Sequence, residues 1–153
     1  MVYSHRGELE SSRRAFTLLE LLLSMSIIVV IAGITIPVNQ LLHVKNDLDM
    51  ATLSVSQVIR KAQMLSRDGA GDSAWGMKLQ PGSATLYKGA SYDTRDASFD
   101  ENTIFPPTIA VSGFDNVNFS KLKGTPQAAG AIKLEIKPYE KNITINEKGT
   151  VSY

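Results

Sequence analysis

The sequence predicts an α+β fold in which a long N-terminal helix, with an apolar transmembrane half and an amphipathic half, packs on antiparallel β-sheet. Three observations support this prediction. Residues 16–38 are mainly apolar with one charge, at Glu20; apolar residues then recur in steps of three and four as far as residue 65; and short alternating segments follow from residue 72. A helical period that gives way to strand periods is typical of a helix followed by antiparallel strands.

The composition excludes several kinds of chemistry but identifies no partner. The chain has 153 residues, enough for one domain and an N-terminal segment, and a net charge of +1. It contains no cysteine, so disulfides, thiolate metal sites and thiol catalysis are excluded. The balanced charge gives no electrostatic argument for binding nucleic acid.

The N-terminus combines a polar leader, residues 1–15, with the apolar segment, residues 16–38. As a helix rising about 1.5 Å per residue, this segment extends roughly 34 Å, enough for a hydrocarbon core of about 30 Å. No small-residue cleavage site closes it, so we expect it to stay in the protein as a single-pass membrane anchor. Because Arg13 and Arg14 precede it, the positive-inside bias predicts a cytoplasmic N-terminus and a globular part outside.

Glu20 is the one charged residue of the apolar segment. An ionisable side chain in a membrane helix costs about 2.5–3.5 kcal/mol at the centre and usually marks a function or a partner. Near the cytoplasmic end the cost is smaller, and the side chain could instead extend to the membrane surface without a further role. The residue alone leaves both interpretations open.

The residues around Glu20 form a motif. Residues 13–20, Arg-Arg-Ala-Phe-Thr-Leu-Leu-Glu, resemble the processing site of type IV pilins and type II secretion pseudopilins. The resemblance implies that a prepilin peptidase cuts between Ala15 and Phe16 and methylates the new amino terminus of Phe16, and that Glu20 acts in filament assembly. The family usually has glycine before the cut, where this chain has Ala15. The motif also includes Arg13, Arg14, Thr17 and Leu18.

Pro37 lies where many pilins carry a proline that is linked to melting of the helix during assembly. A proline inside a helix removes one backbone hydrogen bond and bends the axis; by itself it could simply end the apolar segment. The resemblance implies an inner-membrane location before assembly into a periplasmic or extracellular filament. Its implied partners are the prepilin peptidase, other pilin or pseudopilin subunits, the inner-membrane assembly platform and membrane lipid.

Residues 39–68 are predicted to continue the helix as an amphipathic segment. Packing against the protein's own sheet is the expected role of the apolar stripe, with a coiled coil as the alternative. The helix should end near Gly69, a natural helix terminator. The stripe consists of Leu41, Val44, Leu48, Ala51, Val55, Val58, Ala62 and Leu65.

Residues 72–153 are predicted to form a globular β domain. The clearest strand is 131–137, where Ile132, Leu134 and Ile136 alternate with charged residues. Residues 75–79 and 84–88 are predicted to form a hairpin, and the polar residues 89–101 a loop. Further strands are expected at residues 108–111, 117–119, 142–146 and 150–153.

Several short motifs in this part of the chain resemble the globular domain of minor pseudopilins of the GspH and FimT type. The resemblance implies a minor structural subunit of a type IV pilus or a type II secretion pseudopilus. The motifs are Ala62-Gln63, Ser66-Arg67, Asn118-Phe119, Gly124, residues 130–134, residues 143–145 and residues 149–151.

No motif for catalysis, metal binding or a cofactor is found, so we expect a protein that is not an enzyme. The acidic residues Asp93, Asp96, Asp100 and Glu101 do not have the spacing of a calcium loop and are expected to be solvated. The alternative function is a pilus-tip subunit that acts as a receptor for DNA uptake or surface adhesion. Its candidate residues for DNA binding are Tyr139 and the lysines Lys121, Lys123, Lys133, Lys137, Lys141 and Lys148.

Overall fold

The computed structural model of the protein describes residues 16–153, apart from the side chains of residues 34–42. The chain divides into two compact units, Met1–Asn39 and Gln40–Tyr153. Helix α1 (Leu18–Arg67) is followed by a short 3-10 turn (Ala70–Asp72). The strands are β1 (Trp75–Gln80), β2 (Ser83–Lys88), β3 (Asp96–Ile104), β4 (Ala110–Gly113), β5 (Asn116–Phe119), β6 (Gly130–Ile136), β7 (Tyr139–Ile145) and β8 (Val151–Ser152).

In the second unit, α1 is amphipathic as predicted. Its buried side chains include Leu48, Ala51, Val55, Val58 and Ala62, all members of the predicted stripe. Ile59, which the stripe did not include, is also fully buried. Val44 and Leu65 are half-buried, and the side chain of Leu41 lies outside the described residues.

The predicted end of α1 is confirmed. The helix stops at Arg67, and Gly69 follows with φ 63, a left-handed conformation. The backbone nitrogen of Gly69 donates to the carbonyl of Ser66 at 3.2 Å. Glycine adopts this conformation without steric cost, which is why it commonly ends helices.

The strands form two antiparallel sheets, in the orders β3-β2-β1-β5 and β4-β6-β7-β8. Apolar side chains from the second unit's part of α1 and from both sheets meet in one core cluster. Fully burying a side chain such as Ile143 or Leu134 contributes about 1.5–3 kcal/mol. The predicted α+β class, with a helix packed on antiparallel sheets, is therefore confirmed.

The predicted hairpin is also confirmed. Strands β1 and β2 pair from Trp75 opposite Lys88 to Gln80 opposite Ser83. Pro81 and Gly82 make the two-residue connection, and Gly82 has φ 82. Proline followed by a glycine with positive φ is the sequence preference of a type II turn.

The prediction of a loop over residues 89–101 is wrong in its second half. Residues Asp96–Ile104 form β3, which pairs with β2 from Ser83 opposite Ile104 to Leu86 opposite Glu101. Because β3 is an edge strand with mostly exposed side chains, its sequence lacks the apolar alternation that marks a half-buried strand. Two smaller differences concern β4, which begins at Ala110, and β7, which already begins at Tyr139.

Candidate functional site

The first described residues build the start of α1. Thr17 directly precedes the helix, and its Oγ1 accepts a hydrogen bond from the backbone nitrogen of Glu20 at 3.2 Å. The carbonyl oxygen of Thr17 accepts the bond from the nitrogen of Leu21, also at 3.2 Å. Thr17 is therefore the N-cap of α1, a role usually worth about 1 kcal/mol.

Sequence reasoning assigned Thr17 to the processing motif alone and missed its role as a cap. The signal was available, since Thr-x-x-Glu at positions 17 and 20 is the sequence pattern of a capping box. Glu20 also places a negative charge in the first turn, where the helix dipole favours it. The same two residues thus serve the motif and the start of the helix.

Glu20 is exposed. Among the described residues its carboxylate has no ion-pair partner. The neighbouring polar side chains are satisfied locally, since Ser24 Oγ donates to the carbonyl of Glu20 at 2.8 Å and Ser26 Oγ to that of Leu23 at 2.7 Å. The carboxylate of Glu20 is therefore the polar group of this turn that remains available for a partner.

The apolar side chains around Glu20 are exposed on every side of α1. Phe16 is 80 % exposed. Ile27 is the least exposed of the large apolar side chains between Phe16 and Ile31, and it is still 51 % exposed. A helix that is apolar all round requires lipid or other protein as its surroundings. The other residues with this property are Leu18, Leu19, Leu21, Leu22, Leu23, Met25, Ile28, Val29, Val30 and Ile31.

Some of the predicted site lies outside the described residues. This applies to Arg13, Arg14 and Ala15, and to the side chain of Pro37, although the helical assignment of α1 includes residue 37. Among the residues described, we find no helix that is long and apolar enough to cross a membrane.

The residues of the second resemblance come together at the end of α1. Gln63 Nε2 donates to the carbonyl of Gly124 at 3.0 Å. A Cβ atom at Gly149 would collide with this Gln63 amide, and one at Gly124 would collide with Arg67. These residues therefore hold the helix end against the loops that follow β5 and β7.

Three of the four residues in the predicted acidic cluster, Asp96, Asp100 and Glu101, bind neighbouring side chains. Arg95 Nε donates to Asp100 at 2.8 Å, and this hydrogen bond raises the pKa of Arg95. Asp96 accepts from Ser98 Oγ at 2.6 Å, which lowers the pKa of Asp96, and Glu101 binds Lys61 at 2.6 Å. In the part of the chain that the structure describes, no group of three or more His, Asp or Glu side chains is placed to hold a metal ion.

The lysines considered for DNA binding are partly neutralised. Lys133 Nζ lies 2.6 Å from Glu140 and 3.3 Å from Glu135, and these hydrogen bonds raise its pKa, that to Glu140 most. Lys121 pairs with Asp72 and Lys141 with Asp49. Among the described residues, no ion pair is found for Lys123, Lys137 or Lys148.

Residues 11–36 match the family described as the prokaryotic N-terminal methylation motif. The match includes the predicted cleavage site and the capped start of α1. No curated protein and no solved structure matches the chain. The chain thus carries the motif of type IV pilin-like prepilins, which are processed by prepilin peptidase and assembled with other pilins.

Proposed function

We propose that this chain is a minor structural subunit of a type IV pilus or a type II secretion pseudopilus, of the GspH/FimT type, and not an enzyme. The peptidase cuts between Ala15 and Phe16, and Phe16 becomes the methylated first residue. One observation carries the proposal: the methylation motif in residues 11–36 stands directly at the capped start of an exposed apolar helix.

Before assembly, residues 16–38 lie in the inner membrane as a single-pass anchor with the N-terminus in the cytoplasm. After assembly, the same residues pack against the corresponding helices of other subunits. The exposure of apolar side chains on all sides supports both surroundings. The hydrogen bonds that the hydroxyls of Ser24 and Ser26 donate to backbone carbonyls also support both surroundings, because these hydroxyls need no water as a partner.

In this proposal Glu20 sets the axial position of each incoming subunit. Cleavage creates a positive amine at Phe16, and the carboxylate of Glu20 pairs with this amine or with that of a neighbouring subunit. Buried opposite charges attract but lose hydration, so such a pair contributes more to register than to stability. The lack of an ion-pair partner for Glu20 among the described residues supports this role.

The globular unit supports a minor subunit through the positions of its motif residues. Gln63, Gly124 and Gly149, which are among the residues that carry the resemblance to GspH and FimT, meet at one junction. Their convergence in space supports the interpretation of these short matches as one structural feature of the globular unit.

The test is the mature N-terminus, determined by mass spectrometry of the membrane fraction. We expect a peptide that begins at N-methylated Phe16 in cells with an active prepilin peptidase, and an intact leader in cells with an inactive peptidase. The variant Ala15→Gly, which restores the residue usual in the family, should be cut at the same bond. An intact leader in both strains, or cleavage after Pro37, would overturn the proposal.

A further inference from the structure

Residues 140–144 of strand β7 form a short motif that the proposed function does not use. Asn142-Ile143-Thr144 has the pattern Asn-x-Ser/Thr, with a residue other than proline in the middle. This pattern is the acceptor sequence for a glycan linked to the asparagine. Glu140 stands two positions before the asparagine, and bacterial oligosaccharyltransferases favour an acidic residue at that position. The motif therefore matches the longer and more selective form of the acceptor sequence.

The polar residues of the motif lie on one exposed face of the sheet. Side chains alternate between the two faces of a strand. Ile143 and Ile145 are buried in the core, whereas Glu140, Asn142 and Thr144 are exposed. The amide of the asparagine and the hydroxyl of the threonine, the two groups that define an acceptor, thus face away from the core.

The surroundings of Asn142 leave its amide free. In the part of the chain that the structure describes, the side chains of Asn142 and Thr144 make no hydrogen bond. Lys133 lies opposite Asn142 in β6, but its Nζ binds Glu140 at 2.6 Å. Exposed ion pairs of this kind are weak, so the carboxylate of Glu140 can be released to a partner. Ala131 lies opposite Thr144 and leaves space around its hydroxyl.

The other side of β7 is largely open. Within the described residues, β8 is the strand on that side, and it pairs with Thr144 and Ile145 but not with residues 139–143. Asn142 therefore lies at an open edge of the sheet. A glycan is bulky and hydrophilic, and on Asn142 it would extend into solvent without displacing a core residue.

The second Asn-x-Ser/Thr pattern of the sequence has the opposite surroundings. Residues 118–120, Asn-Phe-Ser, lie at the end of β5, and Asn118 is 5 % exposed. Its Nδ2 donates to the carbonyl of Gly89 at 2.9 Å and to Tyr87 Oη at 3.2 Å. A glycan on this nitrogen would break at least one of these bonds and would not fit the buried position. Of the two patterns, the folded chain can thus carry a glycan at Asn142 alone.

We propose that Asn142 is the acceptor of an N-linked glycan, donated by a polyprenyl-diphosphate-linked oligosaccharide. The Nδ2 atom of Asn142 forms a bond to the anomeric carbon of the first sugar and loses one proton. The bond between that carbon and the diphosphate oxygen breaks, and the polyprenyl diphosphate leaves. The inference rests on the proposed function in one respect, the placement of the globular unit outside the membrane, where the transferase acts.

The test is the mass of the full chain from bacterial cells that carry an active or an inactive oligosaccharyltransferase together with its lipid-linked oligosaccharide. We expect one added glycan per chain, with the active transferase alone, on the tryptic peptide of residues 142–148. Asn142→Gln should lose the added mass completely. The control Ser120→Ala, which removes the second pattern, should keep it.

Three further variants separate recognition by the transferase from folding. Thr144→Ala should lose the glycan, whereas Thr144→Ser should keep it because the hydroxyl remains. Glu140→Gln should lower the modified fraction. Both positions are exposed, so the variants should be present in equal cellular amounts. A glycan that remained in full after Thr144→Ala, or a glycan on Asn118, would overturn the inference.

The inference and the proposed function fail in different ways. Protease added to spheroplasts shows whether the globular unit lies outside the membrane, and a second acceptor protein in the same cells verifies the transferase. If the globular unit is digested but Asn142 stays unmodified, the inference is overturned and the proposed function stands. If the globular unit is digested only after lysis, the proposed placement is wrong, and the inference fails with it.

Discussion

The hydroxyl oxygen of Ser66 lies 2.8 Å from the backbone nitrogen of Trp75 and accepts its hydrogen bond. The same hydroxyl lies 3.3 Å from the carbonyl oxygens of Trp75 and Phe119, to which it can donate. Ser66 is fully buried and Trp75 is 7 % exposed. One small side chain thus connects the end of α1 to β1 and β5 in the middle of the fold.

We expect Ser66→Ala to lower the free energy of unfolding by about 1–3 kcal/mol, because the buried amide of Trp75 loses its acceptor. The measurement is urea unfolding of a fragment that starts at Gln40, followed by the fluorescence of Trp75, the single tryptophan. Ser120→Ala, which removes a more exposed hydroxyl bonded to Thr125, should cost about 0.5 kcal/mol or less. Equal losses in the two variants would show that Ser66 has no special role.

A second prediction concerns Gly149. We expect Gly149→Ala to destabilise the fragment more than Gly82→Ala. Both glycines have positive φ, 80 and 82, so both substitutions carry a backbone strain of about 1–2 kcal/mol. Only at Gly149 does the new Cβ collide with Gln63 and break its bond to Gly124. The same urea titration measures both variants, and similar midpoints would contradict this account of the junction.

A third prediction concerns pH. Burial raises the pKa of the Tyr87 phenol, and hydrogen bonds with Asn118 and Asn116 oppose this only in part. The folded state therefore favours the neutral phenol. Its contribution to stability is complete below the unfolded pKa of about 10 and is lost as pH rises through the higher folded value.

Tyr87→Phe should therefore make the stability of the fragment fall less steeply above about pH 10 than that of the unchanged sequence. Unfolding titrations at a series of alkaline pH values test this, each compared with the same variant at neutral pH. This comparison cancels the loss of stability that does not depend on pH, which arises because Tyr87→Phe removes the hydrogen bonds of the hydroxyl with Asn116 and Asn118. Parallel curves for both proteins would be evidence against a buried, neutral phenol.

A fourth prediction separates the two roles of Glu20. Glu20→Gln keeps a residue suited to a capping box but removes the charge. We expect normal cleavage and membrane insertion with reduced incorporation into filaments, as also for Glu20→Ala. The measurement is the ratio of filament-bound to membrane-bound protein on an immunoblot. If Glu20→Gln were incorporated normally while Glu20→Ala was not, the cap of the helix would matter for assembly and the charge of Glu20 would not.

The sequence allowed the helix and most strands to be predicted wherever one face is buried. Leu48, Val55 and Ala62 repeat with the helical period, and Ile132 and Leu134 alternate with charged residues in β6. Such patterns arise directly from burial. Strand β3 was not predicted, because it is positioned by main-chain hydrogen bonds to β2. Such bonds leave no apolar pattern in the sequence.

The candidate site was predictable in its chemistry but not in all its contacts. Phe16 and Glu20 were identified from the motif, and residues 11–36 match the methylation motif as a whole. The roles of the individual residues within this motif remain predictions. The junction of Gln63, Gly124 and Gly149 could not be derived from spacing, because Gln63 is distant in the chain from both glycines and meets them only after folding.

Strand β3 has a practical consequence. Its side chains contribute little to the core, and its alignment is fixed by the backbone of β2. Exposed residues of β3 other than Asp100 and Glu101, which pair with Arg95 and Lys61, can therefore be replaced by the residues of a short epitope while the main-chain pairing with β2 remains. An antibody against such an epitope would locate individual subunits along a filament by electron microscopy, without the need for a tag appended to either end of the chain.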